Sequence, residues 1–355
     1  MEKLRVGVLG ATGAVGQQFI ALLKNHPWFR VTALAASERS AGKTYREAAN
    51  WILQTPIPEN SVNMKVLPPQ PEFNCDFVFS GLDSSVAREI EWKFAVAGIP
   101  VISNAKNHRL DPLIPLLIPE VNPGHISLIQ LQREKYGFGS GFIVTNPNCT
   151  TVGLAMGVLP VFQQFGIRKM LVTTLQAISG AGYPGVASLD ILGNVIPNIS
   201  GEAEKIRSEP LKIFGKLREN KIFPAEISIS AQCNRVPVRN GHLISVSLAT
   251  DRAADLEAVF SAYSDFVSPL TKWKLPGAPQ HPIRLTDQSF DPQPFAQVDR
   301  DNGMTVSVGQ VQSCPVLDFR LVALVHNTIR GAAGGAILNA EWLKANGFLG
   351  GVDNR

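Results

Sequence analysis

The sequence is poor in cysteine, and its cysteines are not paired. Its 355 residues include only four, which lie far apart and show no CxxC spacing: Cys75, Cys149, Cys233 and Cys314. A zinc site or a disulfide framework needs closely spaced or numerous cysteines, so neither is expected. We predict free thiols and no bound metal.

No apolar run is long enough to cross a membrane. Even the stretch 152–162 is followed by Gln163 and Gln164, and soon by Arg168. The first residues lead directly into an apolar strand, without the apolar segment and small-residue cleavage site of a signal peptide. We therefore expect a cytoplasmic protein with no membrane partner.

Basic residues do not cluster in this chain. The formal net charge of +4 is spread along the sequence, with no Lys/Arg block and no basic stretch interleaved with aromatic residues. Such clusters are typical of nucleic-acid-binding surfaces. We expect small-molecule partners and no nucleic acid, and the slight positive excess is compatible with an anionic substrate.

The length and the order of the apolar segments predict two domains of different type. Strands and helices alternate near the N-terminus, which predicts an α/β fold with a Rossmann-like doubly wound parallel sheet: strand 4–10, helix 14–24, strand 31–36, strand 77–80, helix 84–97 and strand 99–103. Longer strands with apolar and polar residues in alternation follow, which predicts an α+β domain with a mixed or antiparallel sheet: 168–178, 226–232, 242–250, 305–311 and 318–325. We expect residues 1–148, completed by the C-terminal helical segment 329–355, to bind a nucleotide, and residues 149–328 to form the catalytic and dimerisation domain.

A glycine-rich turn lies between the first strand and the first helix. Gly10, Gly13 and Gly16 have a GxxGxxG spacing, which differs from the usual GxGxxG fingerprint. The position is more informative than the spacing, because backbone amides and the positive end of a helix can hold a pyrophosphate at a first βα turn. The turn predicts dinucleotide binding, and the alternative is a structural glycine turn.

The loop after the second strand bears on the choice of cofactor. It reads Ser37-Glu38-Arg39-Ser40. A carboxylate at this place typically binds the ribose of NAD, whereas arginine and hydroxyl donors suit the 2′-phosphate of NADP. Glu38 leaves NAD open, but Ser37, Arg39 and Ser40 favour NADP.

Cys149 lies where a strand, 142–145, passes into an apolar helix, 150–164. A helix N-terminus lowers the pKa of a thiol and supplies an amide for an oxyanion, so we predict an activated nucleophile here and inert thiols elsewhere. A thiol nucleophile needs an acid–base partner. His242, at the start of a strand, and His326 are the two candidates, and their spacing in the sequence does not decide between them.

The segment 146–151, Asn-Pro-Asn-Cys-Thr-Thr, resembles the nucleophile motif of aspartate-semialdehyde dehydrogenases. Further matches extend over nearly the whole chain: 10–17, 37–43, 118–122, 176–182, 233–238 and 326–335. The segments 179–185 and 201–205 are similar to the branch of this family found in archaea and fungi.

The resemblance implies a role for each of a set of site residues. Cys149 is the expected nucleophile, His242 the acid–base and Gln176 the residue that orients the acyl group. The expected substrate ligands are Arg235 for the carboxylate, Glu209 for the amine, Arg109 and Lys212 for the phosphate, and Asn148 beside them. The expected NADP-binding residues are Gly10, Thr12, Gly13, Ala14, Val15, Ser37, Arg39, Ser40, Ser80, Gly180, Gly182 and Asn327. As alternatives, Glu209 and Lys212 form a surface ion pair, and Arg109 caps a loop.

By this resemblance the expected reaction is the NADPH-dependent reduction of L-aspartyl 4-phosphate to L-aspartate 4-semialdehyde through a thioester, in the biosynthesis of lysine, methionine, threonine and isoleucine. A malonyl-CoA reductase would use the same thiol, base and cofactor, and it remains open as an alternative. A catalytically silent nucleotide-binding relative is a further alternative. One open apolar face on the second sheet predicts a homodimer or homotetramer.

Overall fold

The computed structural model describes residues 2–286 and 288–350. The strands and helices of the N-terminal part are β1 (Leu4–Leu9), α1 (Ala14–Leu23), β2 (Phe29–Ala35), α2 (Tyr45–Ala48), α3 (Glu59–Val62), β3 (Val66–Leu67), β4 (Phe77–Ser80), α4 (Ser84–Val96), β5 (Val101–Ser103), α5 (Leu128–Tyr136) and β6 (Ile143–Thr145). The strands form one parallel sheet in the order β3-β2-β1-β4-β5-β6. This is the strand order of a dinucleotide-binding Rossmann sheet. Successive strands are added outward from β1 to β3 on one side and from β4 to β6 on the other, so the order of addition reverses between β1 and β4.

Both faces of this sheet are buried, which explains the continuous apolar strands of its sequence. Phe77 and Phe79 of β4 pack with α1 on one face, and Val78 packs with Phe94 of α4 on the other. Successive side chains of a strand point to opposite faces, so helices must cover both sides. The predicted doubly wound parallel sheet is confirmed.

The second part of the chain contains α6 (Cys149–Phe165), β7 (Lys169–Gln176), α7 (Ser188–Ile191), α8 (Glu202–Ile213), β8 (Lys216–Arg218), β9 (Lys221–Phe223), β10 (Ser228–Arg235), β11 (His242–Ala249), α9 (Leu256–Ser264), β12 (Ile283–Leu285), α10 (Pro294–Gln297), α11 (Arg300–Gly303), β13 (Val306–Ser313) and β14 (Phe319–Val325). Its large sheet has the order β10-β7-β11-β14-β13-β12. β10 pairs with β7 and β12 with β13 in parallel, and the central pairs are antiparallel. The predicted mixed sheet is confirmed.

One face of the mixed sheet is covered by α6, and the other is open. Residues of β7 alternate between exposed and buried from Lys169 to Gln176. Side chains at Gly153 and Gly157 would overlap Val325 and Ala323 of β14, so these glycines let α6 lie close against the sheet. This close packing brings the start of α6, with Cys149, to the end of the sheet where β11 begins.

The C-terminal segment returns to the first domain. A π-helix, Ile329–Ala333, leads into α12 (Gly334–Ala345). Ala336, Ile337 and Leu343 of α12 belong to the same apolar cluster as α1 and β1. Residues 351–355 of the expected helical segment lie outside the described residues. Across the described part of the chain, no helix combines the length and apolar character needed to span a bilayer.

Candidate active site

Cys149 is the first residue of α6, as expected from the sequence. The side chain of Asn148 caps this helix, because its Oδ1 accepts hydrogen bonds from the amides of Thr150 and Thr151 at 3.0 and 3.2 Å. An asparagine cap satisfies two of the amides that a helix start leaves unpaired. The cap fixes the backbone on both sides of the sulfur.

His242, and not His326, is hydrogen-bonded to the Cys149 sulfur. Its Nε2 lies 3.3 Å from Sγ, whereas His326 accepts the amide of Ile329. The amide of Ala177 donates to Nδ1 of His242 at 3.0 Å. Because Nδ1 accepts a hydrogen bond, the proton of the neutral ring is on Nε2 and faces the sulfur. The arrangement favours His242 as a hydrogen-bond donor to the sulfur.

The expectation of a lowered thiol pKa at Cys149 is wrong. Burial and the negative charge of Glu202 raise the pKa of the Cys149 thiol to about 11, against the opposite effects of Arg109 and Lys205. Burial, with the charge of Arg235, lowers the pKa of His242 to about 3. A helix N-terminus favours an anion only modestly, so loss of water and a nearby carboxylate outweigh it. Both groups are therefore neutral near pH 7.

The other thiols are only partly as expected. Burial raises the pKa of Cys75 to about 11 and also raises that of Cys233. Cys314 differs, because hydrogen bonds from the amides of Leu317 and Val316 lower the pKa of its thiol. Cys314 is half-exposed in the turn after β13. Of the four thiols it is the one whose pKa is lowered, so we expect it to react first with alkylating reagents.

Arg235 lies at the end of β10 beside His242. Its Nη1 donates to the carbonyl of Ala177 at 2.7 Å, and its side chain is buried. A Cβ added at Gly180 would lie 2.9 Å from Arg235 Nη1 and 3.1 Å from His242 Nε2. Gly180, expected to bind cofactor, is thus also the residue whose missing side chain leaves room for both groups.

Glu209 and Arg109 form a buried ion pair at the start of α6. Arg109 Nη1 donates to Glu209 Oε1 at 2.8 Å, and the amide of Asn148 donates to Glu209 Oε2 at 2.6 Å. Both side chains are less than a tenth exposed, which contradicts the alternative of a surface pair between Glu209 and Lys212. Nε of Arg109 is a buried donor without a partner in the described structure, so it is available to an anion.

Lys212 is already saturated with hydrogen bonds. Its Nζ donates to the carbonyls of Arg109, Asp111 and Ile114 at 2.8, 2.5 and 2.7 Å. An ammonium group has three donors, and all three are used. Burial lowers the pKa of Lys212 to about 8. In this conformation Lys212 holds the loop that carries Arg109 and has no donor left for phosphate.

Gln176 meets a carboxylate that the sequence analysis gave no role. Its Nε2 lies 3.3 Å from Oε2 of Glu202, and Nδ2 of Asn148 lies 2.9 Å from the same oxygen. Lys205 pairs with Glu202 Oε1 at 2.6 Å. A signal for this role is present in the sequence, because Glu202 and Lys205 have i,i+3 spacing on the same helix as the expected ligands Glu209 and Lys212.

The glycine turn has the shape of a phosphate cradle. A Cβ at Gly16 would lie 2.2 Å from the carbonyl oxygen of Gly10, and one at Gly10 would lie 2.6 Å from that of Gly81. Gly10 has φ +72°, a conformation that favours glycine. Helix α1 begins at Ala14 without a side-chain cap, so its first amides, including that of Val15, are available to an anion.

The remaining expected cofactor residues lie at the carboxyl ends of the parallel strands or near His242. Ser80 ends β4, and its buried Oγ has no partner among the described residues. Ser37 and Arg39 are exposed after β2. Asn327 instead connects two loops beside His242, since its Oδ1 accepts a hydrogen bond from the amide of Gly241 and its Nδ2 donates one to Ser179 Oγ. Thr12 and Gly13 lie in the turn after β1 and Ser40 in the turn after β2, whereas Gly182 follows β7 in the second domain, where an added Cβ would meet nothing within 4 Å.

Comparison with known proteins agrees with this geometry. The family model for the semialdehyde dehydrogenase NAD binding domain matches residues 5–129, and that for the dimerisation domain matches residues 158–330. The aspartate-semialdehyde dehydrogenase of Archaeoglobus fulgidus is 47% identical over 95% of this chain and 96% of its own. That of Cryptococcus neoformans is 46% identical over 98% of both chains.

The fold agrees equally well with a solved structure. The crystal structure of aspartate semialdehyde dehydrogenase with NADP from Candida albicans superposes with a TM-score of 0.90, at 43% identity over 98% of this chain and 100% of that one. These relatives span the full length of the described domains and include archaeal and fungal proteins, as the resemblance implied. The chain belongs to the aspartate-semialdehyde dehydrogenase family.

Proposed function

We propose that this protein reduces L-aspartyl 4-phosphate to L-aspartate 4-semialdehyde with NADPH, through a thioester on Cys149. The observation that carries the proposal is the 3.3 Å contact between Cys149 Sγ and His242 Nε2, with the buried guanidinium of Arg235 beside the same histidine. A thiol, a proton donor and a carboxylate-binding group are what such a reaction requires. The names of the relatives support the same substrate.

In the proposed reaction the sulfur of Cys149 attacks the acyl carbon. The S–C bond forms, the C–O bond to phosphate breaks, and the phosphate leaves with the bonding electrons. The thiol proton is lost to solvent, and Nε2–H of His242 donates a hydrogen bond to the thiolate. NADPH, when bound, supplies the hydride that reduces the acyl carbon. The S–C bond then breaks with its electrons on sulfur, the thiolate accepts a hydrogen bond from His242 Nε2–H and takes up a proton from solvent, and the semialdehyde departs.

We propose that residues 1–148 with the C-terminal segment 329–355 bind NADP, and that residues 149–328 form the catalytic and dimerisation domain. The glycine cradle and the uncapped start of α1 fit the pyrophosphate, and Ser80 Oγ offers a buried hydroxyl at the end of β4. A NADP-containing structure of a similar protein supports this cofactor. The four free cysteines suit the reducing cytoplasm, in which we place the reaction.

An activity assay tests the proposal against its alternatives. We expect purified protein to reduce NADP only when L-aspartate 4-semialdehyde and phosphate are both present. Omission of phosphate is the internal control, because phosphate must attack the thioester in this direction. Oxidation of NADPH by malonyl-CoA instead would indicate an acyl-CoA reductase, and no turnover with either pair, despite NADPH binding, would indicate a silent relative.

The Arg39→Ala variant tests the choice of cofactor. Arg39 is exposed after β2, with no ion pair in the described structure, and we propose that it binds the 2′-phosphate of NADPH. Loss of a charge-assisted hydrogen bond should raise the KM for NADPH roughly 10- to 100-fold and leave that for NADH nearly unchanged. Lys24→Ala, at the far end of α1, is the control. Equal losses with both cofactors would contradict the assignment.

Arg235→Lys tests recognition of the substrate carboxylate. One arm of the guanidinium is held by Ala177, and the other donors can form a fork with a carboxylate. A lysine keeps the charge but cannot form two parallel bonds, so kcat/KM for the semialdehyde should fall roughly 100-fold. The exposed Arg239→Lys is the matched control. Near-normal turnover would show that Arg235 has only a structural role.

We propose a homodimer, or a tetramer built from dimers, through the open face of the mixed sheet. Leu171 and Leu175 of β7 are 49% and 39% exposed on that face, and the matched family model is described as a dimerisation domain. Leu171→Glu should raise the dimer dissociation constant roughly 100-fold, because it would bury a charge. Light scattering after size exclusion measures this, with the exposed Val86→Glu on α4 as control. If the Leu171→Glu variant keeps the mass of the wild-type oligomer on dilution, the interface lies elsewhere.

A further inference from the structure

We propose that Glu91 is a positioning residue of the expected phosphate site: its buried carboxyl group anchors the loop that carries Arg109, and it takes up a proton when phosphate binds there. This inference rests on the proposed function, which includes phosphate as a reactant. It gives a role to a buried acidic side chain that the proposed reaction does not use.

Glu91 lies in α4, and its carboxyl group contacts the end of β5. The residue is 0% exposed. Its Oε1 accepts a hydrogen bond from Ser103 Oγ at 2.6 Å, and Ser103 Oγ accepts one from the amide of Ala105 at 3.0 Å. The hydroxyl has a single proton, which it donates to Glu91, so a lone pair is left for the amide. Through Ser103, Glu91 thus holds the beginning of the loop 104–109.

The same loop carries Arg109. Its Nη2 donates to the carbonyl of Asn104 at 2.7 Å, and the amide of Asn104 donates to the carbonyl of Ser80 at 2.9 Å. The guanidinium is therefore bound to the residue that follows Ser103. Nε of Arg109 is the buried donor that has no partner in the described structure. A change at Glu91 reaches this donor through one hydroxyl group and a short backbone segment.

The second oxygen of Glu91 has no hydrogen-bond partner among the described residues. Nε2 of His108 lies 3.7 Å away and also lacks a partner in this part of the chain. Burial and the charge of Arg88 lower the pKa of His108, against the opposite effects of Asp111 and the Arg88 backbone. The ring is therefore neutral near pH 7 and provides no counter-charge. A buried carboxylate with an unsatisfied oxygen is costly, and protonation removes this cost.

The protonation of Glu91 is balanced near neutral pH. Burial raises the pKa of Glu91 to about 7, against the opposite effects of the Ser103 and Ser80 hydroxyls and of the positive charge of Arg109. Phosphate bound to Arg109 offsets that positive charge, so the pKa of Glu91 rises further and the carboxyl group takes up a proton. By linkage, phosphate then binds more tightly when Glu91 is neutral. Phosphate affinity should therefore fall as the pH rises through the pKa of Glu91.

Two further titratable groups contact Arg109 from α8. Glu209 pairs with the guanidinium, and Nζ of Lys212 donates to the Arg109 carbonyl. Burial lowers the pKa of Lys212 to about 8, so this lysine also titrates near neutral pH. Phosphate itself changes charge in the same range. These contributions are present with and without the Glu91 charge, so a comparison of the wild type with a Glu91 variant removes them.

The experiment measures the KM for phosphate at about pH 6 and about pH 8, with saturating NADP and L-aspartate 4-semialdehyde. Glu91→Gln keeps an acceptor for Ser103 and is neutral at both pH values. The ratio of the wild-type KM to the variant KM should be near 1 at the lower pH and roughly fivefold or more at the higher pH. Damage to the loop would instead raise the variant KM at both. Glu89→Gln, exposed on the same helix, is the matched control and should follow the wild type.

Calorimetry supplies a measurement that does not depend on turnover. Titration of the NADP-bound full chain with inorganic phosphate near pH 7, in buffers of different ionisation enthalpy, gives the number of protons taken up per bound phosphate. The wild type should take up more than Glu91→Gln does. If Glu91→Gln does not fold, Ser103→Ala replaces it. Loss of this hydroxyl raises the pKa of Glu91, so the KM for phosphate at about pH 8 should be lower than in the wild type.

The outcomes separate the inference from the proposed function. A KM ratio that does not change with pH, or equal proton uptake in wild type and Glu91→Gln, would overturn the inference. A ratio that changes with pH only for His108→Phe, which keeps an aromatic ring against Trp92, would assign the proton to His108 and overturn it as well. Proton uptake as expected, in protein that does not turn over the semialdehyde, would overturn the proposed function and leave the coupling in place. Absence of phosphate binding would overturn both.

Discussion

The Cys149→Ser variant should bind NADPH normally and lose turnover roughly 1000-fold or more. A serine hydroxyl stays protonated at neutral pH, and the neighbouring His242 presents Nε2–H, which cannot accept the hydroxyl proton. Steady-state rates and a fluorescence titration with NADPH measure the two quantities. Cys314→Ser is the matched control and should keep full activity. Wild-type turnover in Cys149→Ser would contradict the covalent mechanism.

The labelling pattern of the thiols supplies a second check on the nucleophile. In the free protein we expect an alkylating reagent to modify Cys314 first, since its thiol pKa is lowered and that of Cys149 is raised. This first modification should leave activity intact. Activity should be lost in parallel with the slower alkylation of Cys149. Bound substrate should change the rate of this alkylation. Inactivation with label on Cys314 alone would point to a different nucleophile.

The Arg330→Leu variant should lower the free energy of unfolding by about 3–5 kcal/mol. The two terminal nitrogens of the guanidinium each lie 2.8 Å from one oxygen of Glu120, and each side chain is 1% exposed. Removal of one partner leaves a buried carboxylate without its counter-charge. Denaturant unfolding measures the loss, and we expect reduced activity as well, because Arg330 precedes Gly331, which lies against Cys149.

A double replacement distinguishes the effect of an unpaired buried charge from the effect of lost side-chain volume. The variant with Arg330→Met and Glu120→Leu removes both charges and keeps apolar volume in the site. It should recover most of the stability that Arg330→Leu loses, because an apolar pair avoids the cost of burying charge. A change of less than about 1 kcal/mol in the single variant would show that water reaches Glu120.

The sequence predicted the architecture well because the spacing of apolar residues along a strand or helix reflects which side chains are buried. β4 is buried at every position, with three apolar residues before Ser80, since both faces of its sheet are covered, and β7 alternates since one face is open. The glycine turn and the loop with Arg39 were also placed correctly at the carboxyl ends of β1 and β2. The hairpin of β8 and β9 and the edge strand β12 were missed, because three residues are too few to show a period and, unlike the equally short β5 and β6, these strands are not fully buried.

The site was harder to predict because its properties depend on neighbours distant in sequence. The choice between His242 and His326 required the pairing of β11 with β7 and β14. The raised thiol pKa of Cys149 depends on burial and on Glu202, 53 positions later, neither of which a local helix-start argument includes. Lys212 has the residue type expected for a phosphate ligand, yet the carbonyls of another segment occupy its donors.

Helix α8 also affects how firmly the start of α6, which carries Cys149, is held. Glu202 and Glu209 stand seven residues apart on it and hold the side chain and the amide of Asn148, respectively. Pro210 lies inside this helix and lacks the N–H that would close one of its turns, so α8 is weakened near one of the two carboxylates. We therefore expect local opening of α8 to release the contacts that orient Asn148, which caps Thr150 and Thr151. The solvent exchange of these two amide hydrogens should then follow the opening of α8, a neighbouring helix, in addition to fraying of α6 itself.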